Sequence, residues 1–167
     1  MKKENSKKRS NIIIATIGTA AILLTLGMIL LLELAPMLTG NAEFKKRYGV
    51  VENGEIGAIT LTDFYSTEGT FPEVVEVDIS SAAEIAALRD MFLCAARGAK
   101  FESAEKSPYG AFDISIRFTS DGESAEFYLK ENEIYLQIDT NRYLFTPESG
   151  AKHAELYEAV CAKLKVK

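Results

Sequence analysis

The chain has 167 residues, 47% of them hydrophobic, with 19 Lys/Arg against 24 Asp/Glu and a net charge of −5. Those totals average two unlike parts, because the stretch from Phe44 onward holds 14 Lys/Arg and 21 Asp/Glu and carries a charge of −7. An acidic domain without a basic stripe argues against a nucleic-acid partner, and two cysteines are too few for a disulfide-rich scaffold.

The leader, residues 1–10, reads MKKENSKKRS and is basic. The run Asn11–Leu32 that follows has 22 residues and no charge. As an α-helix at about 1.5 Å per residue it is about 33 Å long, enough for a hydrocarbon core of about 30 Å. Residues 11–35 are therefore expected to form a transmembrane helix, with the lipid bilayer as its partner. Glu33 falls at the headgroup end, and Pro36 stops the helix or closes its last turn. A secretory signal has a shorter apolar stretch and a small-residue cleavage site close behind it. Gly40-Asn41-Ala42 offers such a site but lies well beyond the run. A retained anchor is the first reading, and a secreted domain released near Ala42 is the second. Five basic residues (Lys2, Lys3, Lys7, Lys8, Arg9) precede the run and three (Lys45, Lys46, Arg47) follow it. This bias orients the N-terminus to the cytoplasm and the domain outside. The pairs Ala15/Thr19 and Ala21/Thr25 put small residues at i, i+4, a spacing that permits helix contact and is also common in plain lipid-facing spans.

Residues 36–54 read as a juxtamembrane connector ending in the turn signal Asn53-Gly54, with a domain over 55–167. Ile56–Tyr65 and Val74–Ile79 alternate as strands, around a loop over Ser66–Pro72. Ser81-Ala82-Ala83-Glu84 is a capping box opening a helix to about Arg97, with Gly98 as its stop and Ile85, Leu88, Phe92 and Ala95 as its apolar stripe. Ala99–Gly110 is polar and rich in turn residues, and reads as a linker. The next strands carry Phe112, Ile114, Ile116 and Phe118, then Ala125, Phe127 and Leu129, then Ile134, Leu136 and Ile138. Turns are expected at Ser120-Asp121-Gly122, at Glu131-Asn132-Glu133 and at Asn141-Arg142, the last leading into Tyr143–Phe145. Such short turns demand an antiparallel meander. Thr146 is placed as N-cap and Pro147 as first residue of a final helix to about Lys165, with Leu156, Val160 and Leu164 inward. The fold class is α+β: an antiparallel sheet of five to six strands with two helices on one face.

The stretches VVEVDISSAAEIAALRDMF, ESAEKSPYG and FYLKENEIYLQIDTNRYLF, within Val74–Leu164, carry a resemblance. The segment resembles a family of small extracytoplasmic domains of Gram-positive bacteria, which pair an N-terminal signal or anchor with this order of elements. The resemblance covers about half of the chain and rests on aromatics and turns. The family's Pro-Tyr-Gly-like turn before the last strand is replaced here by Asp139-Thr140-Asn141. No catalytic residues are known for that family, so the resemblance implies a bacterial envelope setting and nothing about chemistry.

Few residues suggest catalysis. Ser103-Ala104-Glu105-Lys106 matches the S-x-x-K of penicillin-binding enzymes, but no S-D-N or K-T-G follows. His153 is the only histidine, and neither a triad nor a histidine-rich metal site is expected; it is expected at the surface or partly packed. A Cys94–His153 thiol–imidazole pair is conceivable, but nothing in the sequence brings the two together. Asp121-Gly122-Glu123 is too sparse for a calcium loop. No cofactor motif occurs. Cys94 and Cys161 make either one bridge or two free thiols. The strongest candidate site is a sheet face. Tyr128 and Tyr135 oppose the apolar sides of their strands, with Arg117, Lys130 and Gln137 nearby, and Tyr143 lies on the next strand. That combination suits either a binding surface or simple cross-strand pairing. The functional expectation is a non-catalytic, membrane-anchored extracytoplasmic module that binds an envelope protein or cell-wall component.

Overall fold

The computed structural model describes residues 2–66, 73–106, 114–130 and 132–165. Expected features at 67–72, 107–113 and Glu131 lie outside the described residues. The elements are α1 (Lys2–Asn53), β1 (Ile56–Ser66), β2 (Glu73–Ile79), α2 (Ala82–Ala96), β3 (Lys100–Lys106), β4 (Ile114–Ser120), β5 (Glu123–Lys130), β6 (Glu133–Ile138), β7 (Asn141–Thr146) and α3 (Gly150–Leu164). The chain divides into two compact units, Met1–Pro36 and Met37–Lys167.

Among the described residues, α1 is the one helix long and apolar enough to cross a membrane. The large aliphatic side chains along it, such as Ile22, Leu24, Met28 and Leu31, are exposed. The Thr25 hydroxyl donates to the Ala21 carbonyl at 2.9 Å, so this polar group is satisfied within its own helix.

The second unit is α+β. Seven described strands form one antiparallel sheet in the order β2-β1-β4-β5-β6-β7-β3. The extra strand is β3, in the stretch expected as a linker. It pairs with β7 despite its charged sequence, with a bulge at Glu102 where Phe101 opposes Phe145 and Ser103 opposes Leu144.

One sheet face bears the core. Ile59, Leu61, Ile116, Phe118, Phe127, Leu129, Ile134 and Leu136 are buried there. On α2 the buried positions are Ile85, Leu88, Phe92 and Ala95, and on α3 they are His153, Leu156, Val160 and Leu164, both at helical spacing. The Lys163 ammonium donates to Glu84, tying α3 to α2.

Several local features differ from the sequence expectation. Residues 37–53, within the stretch read as a juxtamembrane connector, are helical. They are the last turns of α1, with Pro36 inside the helix rather than at its end. An interior proline costs about 3 kcal/mol, and burial of Phe44 and Val51 in the core offsets it. Arg89 of α2 donates to the Val51 and Glu52 carbonyls at 2.8 and 2.6 Å, satisfying the exposed C-terminal end of α1. Ser81 is the N-cap of α2 but makes no side-chain capping bond, so the capping box does not form. The β6–β7 turn is Asp139-Thr140, two residues earlier than expected. Asp139 takes a left-handed conformation with φ of 53°, which aspartate tolerates, and Asn141 and Arg142 are freed to pair with Ile138 and Gln137. Thr146 stays in the ladder opposite Lys100, and Ser149 caps α3 instead, its side chain accepting from the Lys152 amide. Gly98 does end α2, at φ of 70°.

The β5–β6 register is short, running only from Lys130↔Glu133 through Leu129↔Ile134 to Tyr128↔Tyr135. Beyond it the Arg47 guanidinium of α1 donates to the carbonyls of Glu126 (2.9 Å) and Gln137 (3.4 Å), one on each strand, and to the Glu43 carboxylate (2.8 Å). A side chain thus stands in for the missing ladder. Arg47→Ala leaves both carbonyls without that donor and is expected to destabilise the domain by about 2 kcal/mol. Urea unfolding of the full chain in detergent, followed by tyrosine fluorescence because the chain has no tryptophan, measures this; an unchanged midpoint refutes it.

Candidate functional site

The sheet face turned away from the core carries all five candidate residues, because Arg117, Tyr128, Lys130, Tyr135 and Gln137 alternate with core positions on β4, β5 and β6. The register brings Tyr128 directly opposite Tyr135, and their rings stack with centroids 5.3 Å apart and planes 18° apart. Phe64 of β1 lies 6.2 Å from Tyr128 on the other side. The Arg142 guanidinium of β7 sits 4.7 Å from the Tyr135 ring centre. A row of aromatic and cationic groups therefore crosses the sheet from β1 to β7.

The row is not uniformly open. Tyr135 is fully buried, as is Ser115, while Thr62, Leu144 and Arg142 are nearly so. Tyr128, Arg117, Lys130 and Gln137 keep partial exposure. Tyr135 thus serves as the packed floor on which Tyr128 rests rather than as a second exposed ring. Tyr143 falls on the opposite, core face, where it faces Gly40 of α1.

Charge is organised around Glu126. Its carboxylate accepts from the Ser115 hydroxyl at 2.9 Å and from the Arg117 guanidinium at 3.1 Å. Burial, and then the Glu126 carboxylate, push the Tyr128 phenol up to about 12, against the opposing pull of Arg117 and Arg47. The phenol is therefore a neutral hydrogen-bonding group at physiological pH. Gln137 donates to the Asp139 carbonyl at 2.5 Å, which fixes its amide along the β6–β7 turn.

Between α1 and β5 lies a cleft of about 360 Å³ lined by Glu43, Lys46, Arg47, Val50, Glu123, Ser124 and Glu126. Its wall carries both signs of charge, and Arg47 is already engaged by carbonyls. Sequence reasoning missed Arg47 and Arg142. In the sequence Arg142 reads as part of a turn, and Arg47 reads only as a topology signal.

The other candidates separate. Ser103–Lys106 lies in extended β3, so the one-turn helical spacing that a Ser–Lys pair requires is absent. His153 is fully buried rather than at the surface, with Nε2 3.1 Å from the Glu133 carbonyl and its ring stacked on Tyr157 at 6.4 Å. It pins α3 to the start of β6. Cys94 and Cys161 are free thiols, Cys94 exposed and Cys161 half-buried. Burial raises the Cys161 thiol above its ordinary range. Among the described residues no cluster of His, Cys, Asp or Glu is arranged to hold a metal ion.

Comparison with protein-family models, curated proteins and solved structures returned no match to this chain.

The two tyrosines have separable roles. Tyr135→Ala opens a hole beneath the row and is expected to destabilise by about 3 kcal/mol, whereas Tyr128→Ala costs about 1 kcal/mol. Denaturant midpoints of the two variants check this, and equal losses refute it. The raised Tyr128 phenol also sets a sign. Between pH 10 and about 12 the unfolded phenol ionises while the folded one does not, so stability falls as pH rises. Tyr128→Phe is expected to lose less stability across that window than the wild-type chain.

Proposed function

We propose that this chain is a single-pass, membrane-anchored interaction module of the bacterial envelope, with its N-terminus in the cytoplasm and its sheet domain outside. The observation that carries this reading is the run of exposed large aliphatics between Ile22 and Leu38, flanked by the basic leader and followed by an acidic folded unit. Side chains of that kind, uncovered by protein, are stable in hydrocarbon and not in water. The resemblance of Val74–Leu164 to Gram-positive extracytoplasmic domains supports the envelope setting. Its partner is an envelope protein or a cell-wall component. The role is binding without catalysis, with Tyr128, Arg117 and Lys130 as the accessible part of the aromatic row.

Release of a soluble domain by cleavage near Ala42 is the second reading. Gly40-Asn41-Ala42 lies within helical α1, and Gly40 is buried so closely that an added Cβ would stand 2.8 Å from the Tyr143 ring and 3.2 Å from Phe101. A peptidase needs an extended segment, so this packing favours retention.

Cys94 is the natural reporter of orientation because it is free and exposed. An impermeant maleimide is expected to label the full-length chain in intact cells, with labelling lost in Cys94→Ser. The chain is expected to stay with carbonate-washed membranes. Labelling only after permeabilisation overturns the orientation, and a mature N-terminus just after Ala42 overturns the anchor.

A further inference from the structure

The sheet has two outer strands, and they are protected differently. β3 carries a bulge at Glu102 and places a lysine at each end, Lys100 and Lys106. Bulges and lysines are the devices that keep an edge from pairing with another chain. β2, at the other edge, reads Glu-Val-Val-Glu-Val-Asp-Ile over Glu73–Ile79 and contains neither lysine nor proline. The register irregularity beside it falls on β1, where the extra residue lies between Asp63 and Ser66, so β2 itself carries no extra residue. Its β-branched residues favour the extended state. Val74 is 55% exposed, and Val75 and Val77 pack only partly against the core. Among the described residues no strand pairs with its outer side.

The edge also carries charge. Val74, Glu76 and Asp78 share the face turned from the helices, and both carboxylates are exposed. Asp78 accepts from the Thr60 hydroxyl at 2.8 Å, which holds it in place. A second copy of β2, paired antiparallel about the strand centre, would set Glu76 against Glu76. Like charges directly opposite destabilise such a pairing. A strand with Lys or Arg at alternate positions would meet Glu76 and Asp78 with opposite charge, while its apolar residues would flank Val75 and Val77.

We propose that the outer edge of β2 captures an extended, basic segment of a partner polypeptide by strand addition, with backbone hydrogen bonds supplying affinity and Glu76 and Asp78 selecting the sign of charge. This rests on the interaction-module reading, not on the anchor, and it assigns the partner's chemistry.

The full chain in detergent is tested with end-capped Lys-Val-Lys-Val-Lys-Val-Lys and its glutamate counterpart. The lysine peptide is expected to bind, to weaken with added salt and to protect β2 amides from hydrogen exchange; the glutamate peptide is expected not to bind. Two lysine peptides N-methylated at alternate residues separate the two sides of the added strand, and only one is expected to lose binding. Glu76→Lys is expected to weaken lysine-peptide capture about tenfold and to admit the glutamate peptide. The proposal is overturned by absent lysine-peptide binding, by equal binding of both N-methylated peptides, by indifference to Glu76→Lys, or by self-association of the chain through β2. Peptide capture by a chain that carbonate strips from membranes overturns the anchor alone. Failed capture by a membrane-retained chain overturns the strand-addition reading alone.

Discussion

The second unit is organised around one wedge. Phe44, from the last turns of α1, packs edge-on against Phe127 at 5.7 Å and lies tilted against Phe145 at 4.3 Å. Those rings belong to β5 and β7, on either side of the place where the β5–β6 ladder stops. The series extends outward in both directions, through Phe92 and Phe118 on one side and Phe101 on the other, with centroids 4.5 to 5.9 Å apart. A single row of six rings, two from helices and four from strands, therefore holds four sheet strands to two helices. Aromatic pairs in offset or edge geometry add to the area they bury. Arg47, one turn beyond Phe44, bonds the carbonyls exposed by the split. Apolar wedge and cationic bridge come from the same few residues, which is why the end of α1 belongs to the domain core.

Much of this was legible in the sequence where one period dominated. Ile114–Phe118, Phe127–Leu129 and Ile134–Ile138 alternate strictly and are strands with the expected faces inward. Ile85, Leu88, Phe92 and Ala95, like Leu156, Val160 and Leu164, keep helical spacing and are buried. The hidden parts are those in which tertiary structure overrides a local signal. Lys100–Lys106 is mostly polar and bulged, so its alternation is broken, and only pairing with β7 makes it a strand. Pro36 is a strong stop signal that the packing of Phe44 and Val51 outweighs. Gly40, Phe44, Tyr48 and Val51 do recur at helical spacing, and that pattern was the available clue. His153 stands three residues before Leu156, in register with the buried stripe, which likewise pointed inward.

The candidate face was legible in membership and not in depth. Alternation assigns Tyr128, Tyr135, Arg117, Lys130 and Gln137 to one side. It does not reveal that Arg142 packs over Tyr135, because that contact depends on the β6–β7 register, and that register depends on the position of the turn at Asp139. A two-residue error in a turn leaves the faces unchanged and alters every cross-strand neighbour.

The short register between β5 and β6 also divides the sheet mechanically. On one side β2, β1, β4 and β5 are joined by long ladders, and on the other β6, β7 and β3 form a second well-paired group. Between them stand a brief run of backbone pairs, the Arg47 guanidinium, the ring of Phe44 and the Tyr128–Tyr135 stack, with α3 reaching β6 through His153. Cooperative units of a fold separate where the fewest bonds join them. Phe44 and Arg47 thus stand where the fewest backbone pairs hold the sheet together.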